Sequence, residues 1–262
     1  MISNFLFFSY LVFMSCSIPM SIGLQHSYKK NKSAWAESVV FVATRQIQLI
    51  CANDSDMCMP MGQSFGAGTS FVIDKIDNNS VIMTAAHLCY DYAGGYPQSV
   101  MDGMATIKTK FDMSIIIGEE MIIVDNILLI DVEKDICVFT VPGDVGRKMP
   151  ISRSNPKYGD NVWSIGAPAG YFPESAKPIT KGIFAGEAER VYESGNKIEF
   201  YNFSMPTIGG MSGSPIINES GEVVGIVSAV NVDWHMVSYS PTLDQIKEAI
   251  KIAILKLESQ SL

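Results

Sequence analysis

From about residue 36 onward, short runs rich in Val, Ile, Phe and Thr alternate with Gly, Asn and Asp. Such runs read as strands, because β-branched and aromatic side chains fit a pleated surface while Gly, Asn and Asp supply turn conformations. The pattern predicts strands at 37–42, 69–74, 81–84, 105–111, 114–117, 121–124 and 136–141. After a stretch of little periodicity between Pro142 and Pro156, it predicts more at 161–165, 179–184, 197–203, 215–217, 223–230 and 236–240. Many short strands at this spacing predict an all-β sandwich or barrel. The period then changes. Leu243, Ile246, Ile250, Ile254 and Leu257 fall on one face of an amphipathic helix, with Ser240 or Thr242 as its N-cap.

The first 28 residues contain no Lys, Arg, Asp or Glu, and residues 5–14 (FLFFSYLVFM) are strongly apolar. That run is shorter than the roughly 20 apolar residues of a membrane span and has the length of a signal-peptide core. Cleavage would fall after Ser17. A tilted membrane anchor over residues 5–24 and a lipidated Cys16 are the alternatives. All three imply export, whether the product is secreted, periplasmic or membrane-anchored.

Composition narrows the function. The 262 residues are 47% hydrophobic and carry a formal net charge of −8, with no Lys/Arg cluster. A nucleic-acid partner is therefore not expected. The sequence points to no cofactor. Cys51 and Cys58 flank a turn-rich hexapeptide (ANDSDM) and suit a small closed loop. They also suit half of a metal site, but no second Cys pair or nearby His completes one, so no metal is expected.

Three segments carry chemistry. Gly209-Gly210-Met211-Ser212-Gly213-Ser214-Pro215 places a serine between glycines before an apolar strand. A serine hydroxyl needs a base to become a nucleophile, and flanking glycines let bare amides approach a developing oxyanion. Val81-Ile82-Met83-Thr84-Ala85-Ala86-His87 runs an apolar strand into small residues and one histidine; the others in the chain are His26 and His235. Asp135 directly abuts the apolar run Ile136-Cys137-Val138-Phe139, where an acid can orient an imidazole. Asp131 is its rival. Cys89 and Cys137 lie two residues beyond His87 and Asp135 and read as buried free thiols. An α/β-hydrolase is disfavoured, because Ser214 stands where its motif needs Gly and the pattern lacks alternating helices.

In the order His, Asp, Ser these segments resemble the trypsin-like serine peptidases, as do Gly66-Ala67-Gly68-Thr69-Ser70-Phe71 and Gly225-Ile226-Val227-Ser228. The run GGMSGSPIIN is similar to the glutamyl-endopeptidase and Deg/HtrA-like branches. The resemblance implies two six-stranded antiparallel β-barrels ending in a helix: residues 36–143 carrying His and Asp, a linker at 144–158, and residues 159–262 carrying Ser, after a leader at 1–28. It implies a serine endopeptidase acting on proteins or peptides through an acyl-enzyme. Catalysis falls to His87, Asp135 and Ser212, and the oxyanion hole to the amides of Gly210 and Ser212. Substrate binding falls to Thr207, Ser228, Ala229 and Val230. Met211 replaces the acid that digestive trypsins pair with a freed N-terminus, so that activation is not expected. Pro206 and Val227 remove the charged and histidine side chains that select basic or glutamate substrates, leaving a small or medium apolar residue before the scissile bond. The alternative is a latent or inactive protease-like domain acting as a binding or surface module.

Overall fold

The computed structural model describes residues 35–52, 58–89, 98–100, 105–124, 126–171, 177–191, 197–230 and 236–260. The expected leader at 1–28, with Cys16 and His26, lies outside the described residues, as does His235.

The first sheet contains β1 (Val39–Ala52), β2 (Cys58–Ile76), β3 (Asn79–Thr84), β4 (Gln98–Val100), β5 (Ala105–Ile117), β6 (Glu120–Ile123), β7 (Asn126–Asp131) and β8 (Ile136–Pro142). Its order is β4-β5-β1-β2-β3-β8-β7, with β6 also on β5. The second holds β9 (Asn161–Ile165), β10 (Ile179–Val191), β11 (Lys197–Ser204), β12 (Pro215–Ile217), β13 (Val223–Ile226), β14 (Ala229–Val230) and β15 (Val237–Pro241), in the order β13-β12-β9-β10-β11-β15-β14. All their pairings are antiparallel. Helix α1 (Leu243–Gln260) closes the chain.

The eight and seven strands exceed the six expected of each barrel. β1 and β2 run well past the predicted 37–42 and 69–74. Their outer halves mix Arg45, Gln46, Gln48, Gln63 and Ser64 with Met59, Met61 and Phe65, which are exposed rather than packed in the core. The backbone ladder and the Cys51–Cys58 disulfide at its far end hold them together. The predicted strands 105–111 and 114–117 are one strand, β5; Asp112 at its middle is held by Arg45 of β1 at 2.7 Å. The predicted strand 223–230 is broken after Ile226.

Past Pro142, the last residue of β8, the segment 143–156 adds no strand to either sheet, yet it is bonded to both. The Arg147 and Met149 amides donate to Glu37 and Val72 of the first half, and Ser152 and Val223 exchange bonds with the second through Val223 and Pro150. One core cluster joins the two halves and the helix, with Phe71, Val138, Ile165, Ile226 and Ile246 all buried in it. α1 buries Leu243, Ile246, Ala249, Ala253 and Leu257, so its inner face is turned toward the alanines, leaving Ile250 and Ile254 half-buried at the margin. The small alanines permit close approach to β7, β8 and β13. Thr242 is the cap: its amide donates to Gln245 Oε1 at 2.9 Å, and the Gln245 amide donates back to Thr242 Oγ1 at 3.4 Å. Ser240 instead accepts from the Ile226 amide.

Cys89 and Cys137 are not free thiols; they form a disulfide. The β3–β8 register sets Thr84 opposite Cys137, which brings residues far apart in sequence to bonding distance.

Candidate active site

The same register builds the first half of the site. β3 ends at Thr84 and the chain turns through a short 3₁₀ segment, Ala86–Leu88, that carries His87. β8 begins at Ile136, so Asp135 sits beside that turn. Asp135 has φ 56°, a left-handed conformation that Asp tolerates better than most residues. Its carboxylate accepts from three groups: the His87 amide at Oδ1 (2.9 Å), His87 Nδ1 at Oδ2 (2.9 Å) and Oδ1 (3.1 Å), and Ser228 Oγ at Oδ2 (2.6 Å). A carboxylate partner at Nδ1 puts the proton there and leaves Nε2 as the basic lone pair of a neutral ring. Asp131 is engaged elsewhere, accepting from the amide and ammonium of Lys134. Burial pulls the Lys134 ammonium down, but Asp131 and Glu248 outweigh it and hold the group above the ordinary lysine value.

The second half is the loop 208–214, where half-buried Ser212 lies between glycines at positive φ, Gly210 (90°) and Gly213 (81°). A Cβ on Gly213 would stand 2.1 Å from both the Thr69 carbonyl and Thr84 Oγ1, so the loop touches the strand leading to His87. Every carbonyl from 209 to 212 has a partner. Gly209 O accepts from the Ala169 amide at 2.7 Å, Gly210 O from Thr69 Oγ1 at 3.0 Å, Met211 O from the Ser214 amide at 2.9 Å and Ser212 O from the Thr69 amide at 2.8 Å. In a trans peptide the N–H points opposite the C=O, so these bonds also set the direction of each amide. Met211 N donates to Ile208 O and Gly213 N to Val227 O. The Gly210 and Ser212 amides donate to no backbone carbonyl among the described residues.

A cleft of about 970 Å³ is lined by His87 and Asp135 from one half and Ser228, Ala229 and Tyr239 from the other. β14, with Ala229 and Val230, is the last strand of the second sheet and, among the described residues, pairs with β15 alone. Thr207 is buried, its hydroxyl 2.5 Å from that of Ser238.

The sequence profile of the trypsin-like peptidase domain matches residues 68–226, which include Thr69, His87, Asp135, Gly210 and Ser212. This chain belongs to the trypsin-like peptidase domain family. A Synechocystis sp. protein named as a serine protease, HhoA, is 26% identical over 189 residues, 70% of this chain. The chain spans 41% of that relative's length. Two solved structures share the fold of this trypsin-like domain. The Rv3671c protease of M. tuberculosis in its active form aligns with a TM-score of 0.59 at 18% identity, over 85% of this chain and 83% of its own. Its inactive form aligns at 0.55 and 15% identity, over 84% and 90%.

Sequence reasoning missed Thr69 and Ser238 as contributors to the candidate site and gave Ser228 a different role. The Ser228 side chain binds Asp135, although a substrate-pairing role was expected of that residue. Thr69 joins the two halves, and Ser238 partners Thr207. Serines and threonines in strands carry no signature of such contacts; only the block around Thr69 stood out, and as a whole.

Proposed function

We propose that this chain is a serine endopeptidase in which Ser212 is the nucleophile, His87 the general base and Asp135 the orienting acid. The observation that carries the reading is a histidine whose Nδ1 is held by a carboxylate, together with two amides, Gly210 and Ser212, that donate to no backbone carbonyl among the described residues. His87 Nε2 takes the Ser212 proton as Oγ adds to the peptide carbonyl. The two amides receive the negative oxygen, and the amine leaves with the proton from His87. Water then adds to the acyl-enzyme, giving its proton to the same nitrogen, and Ser212 is released. Asp135 stays ionised throughout and stabilises the imidazolium.

A collapsed, latent loop would require the Gly209 carbonyl to leave Ala169 and the Gly210 carbonyl to leave Thr69; both bonds favour a formed hole. The free edge of β14 suits an extended peptide that adds as one more strand. The Thr207 and Ser238 hydroxyls partner each other, so the pocket makes no demand for a charged residue before the scissile bond. A small or medium apolar residue is the proposed preference.

Export through the N-terminal segment, with or without retention at a membrane, agrees with two disulfides, which persist in oxidising compartments. Among the described residues no helix is long and apolar enough to cross a membrane. Hydrolysis of a panel of internally quenched peptides by the wild type and by Ser212→Ala tests the reading. Cleavage within the chain that disappears in the variant supports it, and cleavage that survives rejects it.

A further inference from the structure

Thr69 lies in β2 of the first sheet, wholly buried, and reaches into both loops of the second half that shape the oxyanion-binding amides. Its hydroxyl donates to Gly210 O at 3.0 Å and accepts from the Ala167 amide at 3.0 Å. Its amide donates to Ser212 O at 2.8 Å, and its carbonyl accepts from Thr84 Oγ1 at 2.7 Å, three residues before His87. The hydroxyl proton and a lone pair are both used, so no apolar side chain of the same shape can replace it.

We propose that the Thr69 hydroxyl is a positioning group for catalysis: it fixes the Gly210–Met211 peptide, which lies between the two peptides that carry the Gly210 and Ser212 amides, and so helps aim both at the substrate oxygen. The proposal rests on the triad reading above. Two features make the hydroxyl necessary. The loop it holds is soft, because Gly209 and Gly210 allow the intervening peptides to rotate at little steric cost. The segment 166–170 that receives the Gly209 carbonyl is strained, with Ala169 at φ 51°. A non-glycine residue stays in that region only while its surroundings hold it. Thr69 supplies that restraint through the Ala167 amide, two residues from the strained one, and Ala169 in turn holds Gly209 O. One hydroxyl therefore acts on the Gly210 amide from both sides: through the following peptide, whose carbonyl is Gly210 O, and through Ala167, Ala169 and the Gly209 carbonyl of its own peptide. Because Thr84 is bonded to the same residue, the restraint also ties the hole to the strand that presents His87.

The test compares wild type, Thr69→Val, Thr69→Ala and Thr69→Ser on one peptide substrate, together with inhibition by the matching peptide aldehyde. The hemiacetal oxygen of the aldehyde occupies the oxyanion position, whereas KM reads ground-state binding. Thr69→Val is expected to lower kcat by about 10²–10³-fold, the loss seen when one oxyanion donor is removed. KM should stay within about 3-fold, and aldehyde affinity should fall with kcat, as for an interaction made only in the transition state. Thr69→Ser, which keeps the hydroxyl, should recover kcat to within about 10-fold of wild type. If Thr69→Val does not fold, Thr69→Ala is read in its place. An unchanged kcat in Thr69→Val, a loss confined to KM, or equal damage in Thr69→Ser overturns the proposal. A wild type whose activity does not depend on Ser212 overturns the triad reading and this one together. A Ser212-dependent wild type with an undamaged Thr69→Val overturns this one alone.

Discussion

Asp135 grips His87 twice, at the ring Nδ1 and at the main-chain amide, both at 2.9 Å. The ring bond sets the tautomer, and the amide bond fixes the turn that carries the ring. A third donor, Ser228 Oγ, comes from the other half of the molecule, so the carboxylate also helps set the two halves against each other.

Replacing that carboxylate should therefore be costly without unfolding the chain. Asn tolerates the left-handed backbone at 135 as Asp does. Asp135→Asn is expected to lower kcat by about 10⁴-fold, because an amide no longer enforces the productive tautomer. Asp131→Asn removes only contacts within its own turn and with Lys134, and should leave kcat within about 3-fold. Steady-state kinetics on both variants checks this. A larger loss in Asp131→Asn would mean that the wrong acid has been assigned.

Gly213 has no room for a side chain. A Cβ there meets the Thr69 carbonyl, a backbone atom that cannot step aside, and the residue has positive φ. Gly213→Ala is expected to destabilise the fold by at least about 1 kcal/mol and to abolish measurable turnover. Denaturant titration with activity read in parallel tests this; a stable, active variant would contradict the close approach.

The two disulfides should behave differently. Cys89–Cys137 closes a loop of 48 residues beside the His87–Asp135 contact, whereas Cys51–Cys58 closes one of 7 at the end of a hairpin. Replacing the first pair by Ala should cost about 2–5 kcal/mol and also lower kcat. Replacing the second should cost less and leave kcat unchanged, since the shorter loop restrains the unfolded chain less. Unfolding midpoints and kcat of the two double variants separate the cases. The reverse ranking would show that the hairpin end supports the site.

Burial pushes the Tyr201 phenol up, against the opposing effect of the Leu243 amide that hydrogen-bonds to it. A raised folded-state value means the unfolded chain loses its proton first. The contribution to stability is thus complete below the ordinary tyrosine value near 10 and disappears as pH climbs through the folded value. Wild type should lose stability over that alkaline window, and Tyr201→Phe should lose less of its own. Equal alkaline slopes in denaturant titrations would assign the effect to other tyrosines.

The segments proposed to form the site stand out in the sequence because each is local. A histidine after an apolar strand, an acid before one and a serine between glycines each declare themselves within a few residues. The helix and most strands were legible for the same reason, through their period. The outer halves of β1 and β2 were not, because polar residues interrupt their apolar positions, Met59, Met61 and Phe65 stay exposed, and backbone pairing and a disulfide hold the strands. Nor was the Cys89–Cys137 bond, which depends on which strand lies beside β3. Thr69 was invisible as a site residue, and Ser228 as a partner of Asp135, since a hydroxyl's role is set by what folding brings to it from the opposite half.

The most direct test is reaction of the folded protein with a fluorescent fluorophosphonate, with Ser212→Ala and His87→Ala in parallel, followed by mass spectrometry of the modified peptide. Covalent labelling at Ser212, absent in Ser212→Ala and slowed in His87→Ala by about 10³-fold or more, is the predicted result. Folded protein that takes no label, or takes it at another residue, would contradict the assignment of Ser212 as a base-activated nucleophile.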